Sequence, residues 1–280
     1  MPVRLIAIDI DGTLLDSHGE IPPDNRRAIA GALAAGIEVA LVTGRAFHFA
    51  RPVALRLGLP VLFIVSNGAL VKRADGAPLF SRLMPAGVAR RLLQSTEAYR
   101  PDTAVIFDRP AENQVVAGGM DWQHPARVGY WARNADIIGE SIPLEDCLVE
   151  DPIEVLFNGG VERMRSLAAA LDGRPGANDY SVVVTEYEQR DFTLLDVLAS
   201  GVTKGTTLEQ WARGRGYARE EVMAVGDNYN DREMLEYAGV PVVMGNAVPG
   251  LLAAGFPVTA SNDDAGLARA IEAYALTPSR

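Results

Sequence analysis

Ile6-Ala7-Ile8-Asp9-Ile10-Asp11-Gly12-Thr13-Leu14 is the stretch on which the reading of this chain depends. Residues 3–8 are apolar except for Arg4, and the run stops at a carboxylate. A second carboxylate follows two residues later, then Gly12 and Thr13. A buried β-strand ending in Asp-x-Asp-Gly-Thr sets two acids at the rim of a sheet, where the chain can turn sharply. In an extended segment residues two apart point the same way, so both acids can face one site. One can attack an electrophile while the other moves a proton, and a divalent cation can hold them at close quarters. The same letters also suit a solvated turn, so the rest of the chain has to decide between the two.

Working outward, the pattern repeats. Residues 37–42 and 61–65 read as strands ending in Thr43-Gly44-Arg45 and Ser66-Asn67-Gly68. Helices are expected from about residue 22 and over 46–57, the second closed by Gly58 and Pro60. The alternation resumes with a helix over 203–213, a strand over 222–225 ending in Gly226-Asp227-Asn228, a helix over 231–237 and a strand over 240–244. A short helix over 248–254, a strand over 257–259 and a helix over 266–274 complete the chain. Strands alternating with helices imply right-handed crossovers and a parallel, doubly wound α/β sheet.

Between these halves the order is different. Asp75-Gly76 between residues 69–72 and 79–81 signals a hairpin. Helices over 86–99 and 161–171 then mix with strands near 103–107, 114–117, 153–157, 181–185 and 193–197. Residues 120–133, with Trp122, His124 and Trp131, show no period. This predicts an inserted α+β domain, with core domain over 1–83, insertion over 84–197 and core again over 198–280.

The composition narrows the function. With 48% hydrophobic and 22% charged residues over 280 positions, the chain is globular. A formal net charge of −10 makes nucleic acid and anionic membrane surfaces poor partners. Cys147 is the sole cysteine, which excludes an internal disulfide and a thiolate metal cluster. No apolar run approaches membrane-spanning length and no signal peptide is evident, so a cytoplasmic protein is expected. Only Lys72 and Lys204 among 26 basic residues are lysine. A lysine that survives such a bias toward arginine points to a need for a compact ammonium. Lys72 falls in the expected hairpin and reads as exposed and incidental. Lys204 falls between a strand and a helix.

Strand ends thus carry Asp9 and Asp11, Thr43, Asn67 and Asp227, and ligands of open parallel sheets bind outside the carboxyl ends of strands. Asp9, Asp11 and Asp227 form a hard oxygen set suited to Mg²⁺. Thr43 and Gly44 can offer a hydroxyl and backbone N–H groups to an oxyanion, and Lys204 a point charge to a phosphate.

In order and spacing, Asp9-Ile10-Asp11-Gly12-Thr13, Thr43-Gly44-Arg45, Lys204 and Gly226-Asp227-Asn228-Tyr229-Asn230-Asp231 resemble the four motifs of the haloacid dehalogenase superfamily. The insertion, Ser66-Asn67-Gly68-Ala69 and the segment around Lys204 resemble its Cof-type subgroup. The resemblance implies a Rossmann-like core with an inserted, mobile cap, and an Mg²⁺-dependent phosphatase. Asp9 would form an aspartyl-phosphate, and Asp11 would protonate the leaving oxygen, then activate water. Asp11 would also give the cation a backbone carbonyl. Asp227 would ligate the metal, with Asp231 behind it or positioning Lys204. Thr43, Gly44, Lys204 and Asn230 would hold phosphoryl oxygens. Arg45 and Asn67 are read as substrate or cap contacts. Asp rather than Thr at position 11 favours a phosphatase or mutase over the P-type ATPase branch. The expected substrate is a small phosphorylated metabolite and the expected state a monomer or weak homodimer. A phosphomutase or a silent binding protein on the same scaffold is the alternative.

Overall fold

The computed structural model of the chain describes residues 2–173 and 176–277. It opens with β1 (Leu5–Ile8), α1 (Pro23–Ala34), β2 (Glu38–Val42), α2 (Phe47–Leu57) and β3 (Leu62–Val65), then the hairpin β4 (Leu70–Lys72) and β5 (Pro78–Ser81). The middle of the chain carries α3 (Ala86–Ser95), β6 (Thr103–Ile106), β7 (Val115–Ala117), α4 (Pro125–Asn134), β8 (Ile138–Glu140), β9 (Glu154–Gly159), α5 (Val161–Asp172), β10 (Tyr180–Tyr187) and β11 (Phe192–Ala199). The last part holds α6 (Lys204–Gly214), β12 (Val222–Gly226), α7 (Arg232–Tyr237), β13 (Val240–Val243), α8 (Pro249–Leu252) and α9 (Gly266–Ile271).

Two compact units result, one from Met1–Ser81 with Thr203–Arg280 and the other from Arg82–Val202. The second unit runs past residue 197, where the sequence put its end. β11 continues to Ala199 in register with Tyr180 of β10, and the Gly201 N–H donates to Ser181 Oγ at 2.9 Å. Those ladder bonds carry the chain onward before it leaves the sheet.

The first unit is built on a seven-stranded sheet in the order β13-β12-β1-β2-β3-β4-β5. β13, β12, β1, β2 and β3 are mutually parallel, and β4 and β5 add an antiparallel edge. Both faces of β1 are covered. Leu5 and Ala7 join a cluster with Leu208, Ala212, Met234 and Leu235 of α6 and α7, while Ile6 and Ile8 alternate to the opposite face and are equally buried. That double burial explains why the strand reads as an unbroken apolar run. Because β2 and β12 flank β1 on opposite sides, the chain switches winding direction there, the point of an open parallel sheet at whose carboxyl ends ligands bind. The strand expected over 257–259 reduces to a single bridge from Val258 to Val243.

Lys72 is buried, contrary to the expectation of an exposed hairpin residue. β4 is enclosed between β3 and β5, and the Lys72 ammonium lies 5.0 Å from the centre of the Phe47 ring on α2. A cation over an aromatic face offsets part of its desolvation.

The second unit is a six-stranded sheet in the order β10-β11-β9-β6-β7-β8, antiparallel except for the β7–β8 pair. Residues 120–133, which show no period, contain all but the last residue of the helix α4, and β8 follows it. Arg127 ties α4 down, donating to Asn158 Oδ1 (2.5 Å), Asn158 O (2.6 Å), Asp102 Oδ1 (2.7 Å) and Pro101 O (3.2 Å).

Candidate active site

β1 ends at Ile8, and the Asp9 N–H still donates to Val225 O of β12 at 3.0 Å, so Asp9 stands at the rim in register with its neighbour strand. The chain then turns back on itself: Leu14 N–H donates to Asp9 O (3.2 Å) and Leu15 N–H to Ile10 O (3.0 Å). Gly12 makes this turn possible. Its φ is +82°, and a Cβ there would stand 2.4 Å from Asp227 Oδ2. The left-handed backbone and the missing side chain bring the first acidic loop against the second. Thr13 Oγ1 donates to Asp227 Oδ1 at 3.1 Å, and Asn246 Nδ2 donates to Gly12 O at 2.9 Å.

Lys204 opens α6, whose first turn is closed by a reciprocal pair of bonds between Thr203 and Thr206. Its side chain is 1% exposed, and Nζ donates to Asp9 Oδ1 and Asp231 Oδ1, both at 2.6 Å. Asp231 Oδ2 accepts from the N–H groups of Asp227 (2.9 Å) and Asn228 (3.0 Å), closing the turn after β12. Asp231 therefore does two things at once, capping that turn and anchoring the lysine. Carboxylate oxygens of Asp9, Asp227 and Asp231 lie within 4.8 Å of one another, and all three side chains are buried.

Three buried carboxylates around one ammonium leave the cluster short of positive charge. Burial above all, then the Asp231 carboxylate, pushes Asp9 up to about 8 despite the bond from Lys204. Burial and the Asp9 charge likewise hold Asp227 well above the usual carboxylate range. Burial alone would lower the Lys204 ammonium, but Asp231 and Asp9 raise it, so it stays charged. An all-oxygen, anionic, preorganised cluster of this kind fits a hard divalent cation such as Mg²⁺. Asp9 and Asp227 are the side chains that would hold it, with the Asp11 backbone carbonyl as the further ligand the resemblance implies.

The Asp11 carboxylate is not among these three. Arg45 grips it with both arms, Nε to Oδ2 at 2.7 Å and Nη2 to Oδ1 at 2.5 Å. Thr43 is buried at the end of β2, and its Oγ1 accepts from the Arg45 N–H at 3.1 Å, a local turn that aims the arginine. Asn67 is fully buried: its N–H donates to Thr43 O, just past the end of β2, and Asn230 Nδ2 donates to Asn67 Oδ1, both at 3.1 Å. Gly44 leaves room for this side chain, since a Cβ there would lie 3.1 Å from Asn67 Oδ1.

Thus Asp9, Lys204, Asp227 and Asp231 form one cluster, Asp11 and Arg45 a second, and Thr43, Gly44, Asn67 and Asn230 are linked beside them. Sequence reasoning missed Asn246. The signal was present, because Gly245-Asn246 follows β13 in the same way that polar, glycine-flanked residues follow the other strands.

A family model described as haloacid dehalogenase-like hydrolase matches residues 6–271. The chain belongs to the haloacid dehalogenase-like hydrolases. Both halves of the core and the inserted unit fall inside the match, as the four motifs imply. Among curated relatives, an HMP-PP phosphatase of Serratia proteamaculans is 30% identical, over 89% of this chain and 86% of that protein. The pyridoxal phosphate phosphatase YbhA of Escherichia coli is 28% identical, over 88% and 89%. A haloacid dehalogenase-like hydrolase from B. subtilis superposes with a TM-score of 0.80 over 96% of this chain and 99% of that one, at 23% identity, which attests the shared fold.

Proposed function

We propose that the protein is an Mg²⁺-dependent phosphatase that hydrolyses small phosphomonoesters through an aspartyl-phosphate on Asp9. The observation that carries this reading is the buried pairing of Asp9 with Lys204 beside Asp227 and Asp231. Lys204 occupies Asp9 Oδ1 and so orients the carboxylate, leaving Oδ2 for attack. In the first step Oδ2 bonds to phosphorus, the ester P–O bond breaks, and Asp11 gives a proton to the departing oxygen. In the second, Asp11 takes a proton from water as the water oxygen attacks phosphorus. The acyl-phosphate P–O bond then breaks, releasing phosphate and the free Asp9 carboxylate. A carboxylate meets a phosphate dianion only where positive charge offsets both, and Lys204 supplies the resident part. Mg²⁺, which Asp9 and Asp227 would hold together with the Asp11 backbone carbonyl, would supply the remaining positive charge. Thr43, the Gly44 N–H and Asn230 are read as the donors to the phosphoryl oxygens.

The named relatives act on pyridoxal phosphate and HMP-PP, which supports a small phosphorylated metabolite as substrate class. The net charge of −10 is the ground on which we propose no nucleic-acid partner. No helix among the described residues is long and apolar enough to cross a membrane. We retain the cytoplasm and a monomer or weak homodimer as the working setting. The test is turnover of p-nitrophenyl phosphate with Mg²⁺, followed by product analysis on a panel of phosphorylated metabolites. Asp9→Asn is expected to abolish turnover, and EDTA to silence the wild type until Mg²⁺ is restored. Wild-type rates from Asp9→Asn, or indifference to EDTA, would overturn the reading.

A further inference from the structure

The turn after β3 has an unusual backbone. Ser66, Asn67 and Gly68 take φ of +49°, +50° and +104° in succession. Three left-handed residues in a row, two of them not glycine, are costly and persist only where the surroundings enforce them. Each member of the turn is fixed to a different part of the site. Ser66 N–H donates to Arg45 O at 2.9 Å, and Asn67 N–H to Thr43 O at 3.1 Å, which ties the turn to the loop after β2. Gly68 O accepts from Thr207 Oγ1 of α6 at 2.8 Å, and a Cβ on Gly68 would stand 2.4 Å from Thr203 O, just ahead of Lys204. Asn67 Oδ1 accepts from Asn230 Nδ2 in the loop after β12. One three-residue turn therefore touches the Thr43 loop, the start of α6 and the Asn230 loop.

The Asn67–Asn230 bond has a directional consequence. An asparagine amide carries two N–H donors on nitrogen and only acceptor capacity on oxygen. An amide free to flip presents its oxygen to an anion as readily as its nitrogen. With one Asn230 N–H held by Asn67 Oδ1, the amide nitrogen is pinned and its second N–H is committed to a fixed direction. Resting on the phosphatase reading above, we infer that Asn67 is a positioning residue whose buried amide locks the side chain of Asn230 with its N–H toward the phosphoryl group. Asn67 does not itself touch substrate; it acts through Asn230. Asparagine suits the task because, like aspartate, it tolerates left-handed backbone and offers an accepting oxygen of that reach, but it brings no negative charge beside a phosphate.

The test is a double-mutant cycle on Mg²⁺-loaded protein, with calorimetric affinity for inorganic phosphate as readout. Asn67→Gly removes the amide while easing the left-handed backbone. Asn230→Ala is expected to weaken phosphate binding about tenfold in the wild-type background, as for one lost hydrogen bond to a charged group. In the Asn67→Gly background the same change is expected to cost about twofold or less, because the unlocked amide no longer contributes. Asn67→Asp keeps the accepting oxygen and the backbone tolerance. Its own charge lowers phosphate affinity overall, but the Asn230→Ala penalty is expected to return to about tenfold. This arm also stands alone if Asn67→Gly does not fold. An Asn230→Ala penalty that is equal in the wild-type and Asn67→Gly backgrounds, or that vanishes in Asn67→Asp, would overturn the inference. Phosphate binding with the expected cycle but no turnover of any ester would sink the phosphatase reading while leaving the positioning role intact. A wild-type protein that binds no phosphate would overturn both.

Discussion

Replacing Lys204 by methionine separates the structural from the chemical role of the buried charge. Methionine fills most of the volume and removes the ammonium that bridges Asp9 and Asp231 at 2.6 Å each. Two unit charges 4 Å apart interact by about 4 kcal/mol at an effective dielectric constant of 20. Removing one partner of a buried pair costs roughly 3–5 kcal/mol. Protonation of Asp9, already pushed up to about 8, absorbs part of that cost. About 3 kcal/mol is then expected for the metal-free protein, the low end of that range. At about 2–4 °C per kcal/mol, the melting temperature of the core unit falls by about 6–12 °C. The effect on rate is separate. If Lys204 also offsets the charge on the reacting phosphoryl group, its loss is expected to cost on the order of 10²–10³ in kcat, the range for a lost transition-state charge contact. Turnover of p-nitrophenyl phosphate by Mg²⁺-loaded variant and wild type, with melting curves in the same buffer, reads both quantities. A variant that melts lower yet turns over within about threefold of wild type would refute the chemical role and leave Lys204 a purely structural bridge.

Gly12→Ala places a Cβ 2.4 Å from Asp227 Oδ2 on a backbone at φ +82°. It is expected to lower kcat by at least about tenfold and to weaken Mg²⁺ binding, read by calorimetry, because Asp227 must move. Arg45→Met frees the Asp11 carboxylate from its two bonds. It is expected to cost about tenfold in kcat with a smaller change in KM, and an unchanged kcat would remove Arg45 from the positioning of Asp11. In EDTA-treated protein, Asp9 titrates near 8 when folded against an ordinary 3.8 when unfolded. The unfolded chain thus binds fewer protons at this site between those values, so the Asp9 contribution to stability is greatest below about pH 4 and is lost as pH rises toward about 8. A melting temperature that falls on the order of 10–20 °C across that window from this site, and recovers with Mg²⁺, is expected; a flat metal-free profile would refute the charge deficit.

The core of this fold was legible because its signals are local. A strand buried on both faces must be apolar throughout, so its end is marked wherever a charged residue stops the run, as Asp9 and Asp227 do. Lys204 stood out through the scarcity of lysine. α4 was illegible for an equally physical reason. The helix buries Arg127 and leaves Val128 and Trp131 each 41% exposed, the reverse of the usual amphipathic pattern. Its docking rests on guanidinium bonds to Asn158 and Asp102, partners more than 20 residues away in sequence. No apolar period announces such a helix. Lys72 failed similarly, because the Phe47 ring that shields it comes from α2. The partners of Arg45 and Asn67 were also out of reach, since side-chain direction at a strand end is set by tertiary packing and not by spacing.

The two acids of the opening stretch show what spacing leaves undecided. Two residues apart in extended chain, Asp9 and Asp11 look interchangeable. The turn at Gly12 places them in opposite surroundings. Asp9 is buried, with Lys204 on one oxygen and Asp231 and Asp227 close by. The Asp11 side chain is 43% exposed and held in the fork of Arg45. A buried carboxylate with one oxygen pinned and a cation-deficient cluster around it is preorganised for attack only when positive charge arrives with the phosphate. A solvent-accessible carboxylate beside a guanidinium can trade protons with a leaving oxygen and with water. Distinct environments divide the labour of paired carboxylates. The division proposed here rests on which helix and which loop each acid meets: α6 with its lysine for Asp9, and the Thr43–Arg45 turn for Asp11. Exchanging the two aspartates in sequence would change nothing, whereas exchanging their neighbours would reassign the chemistry.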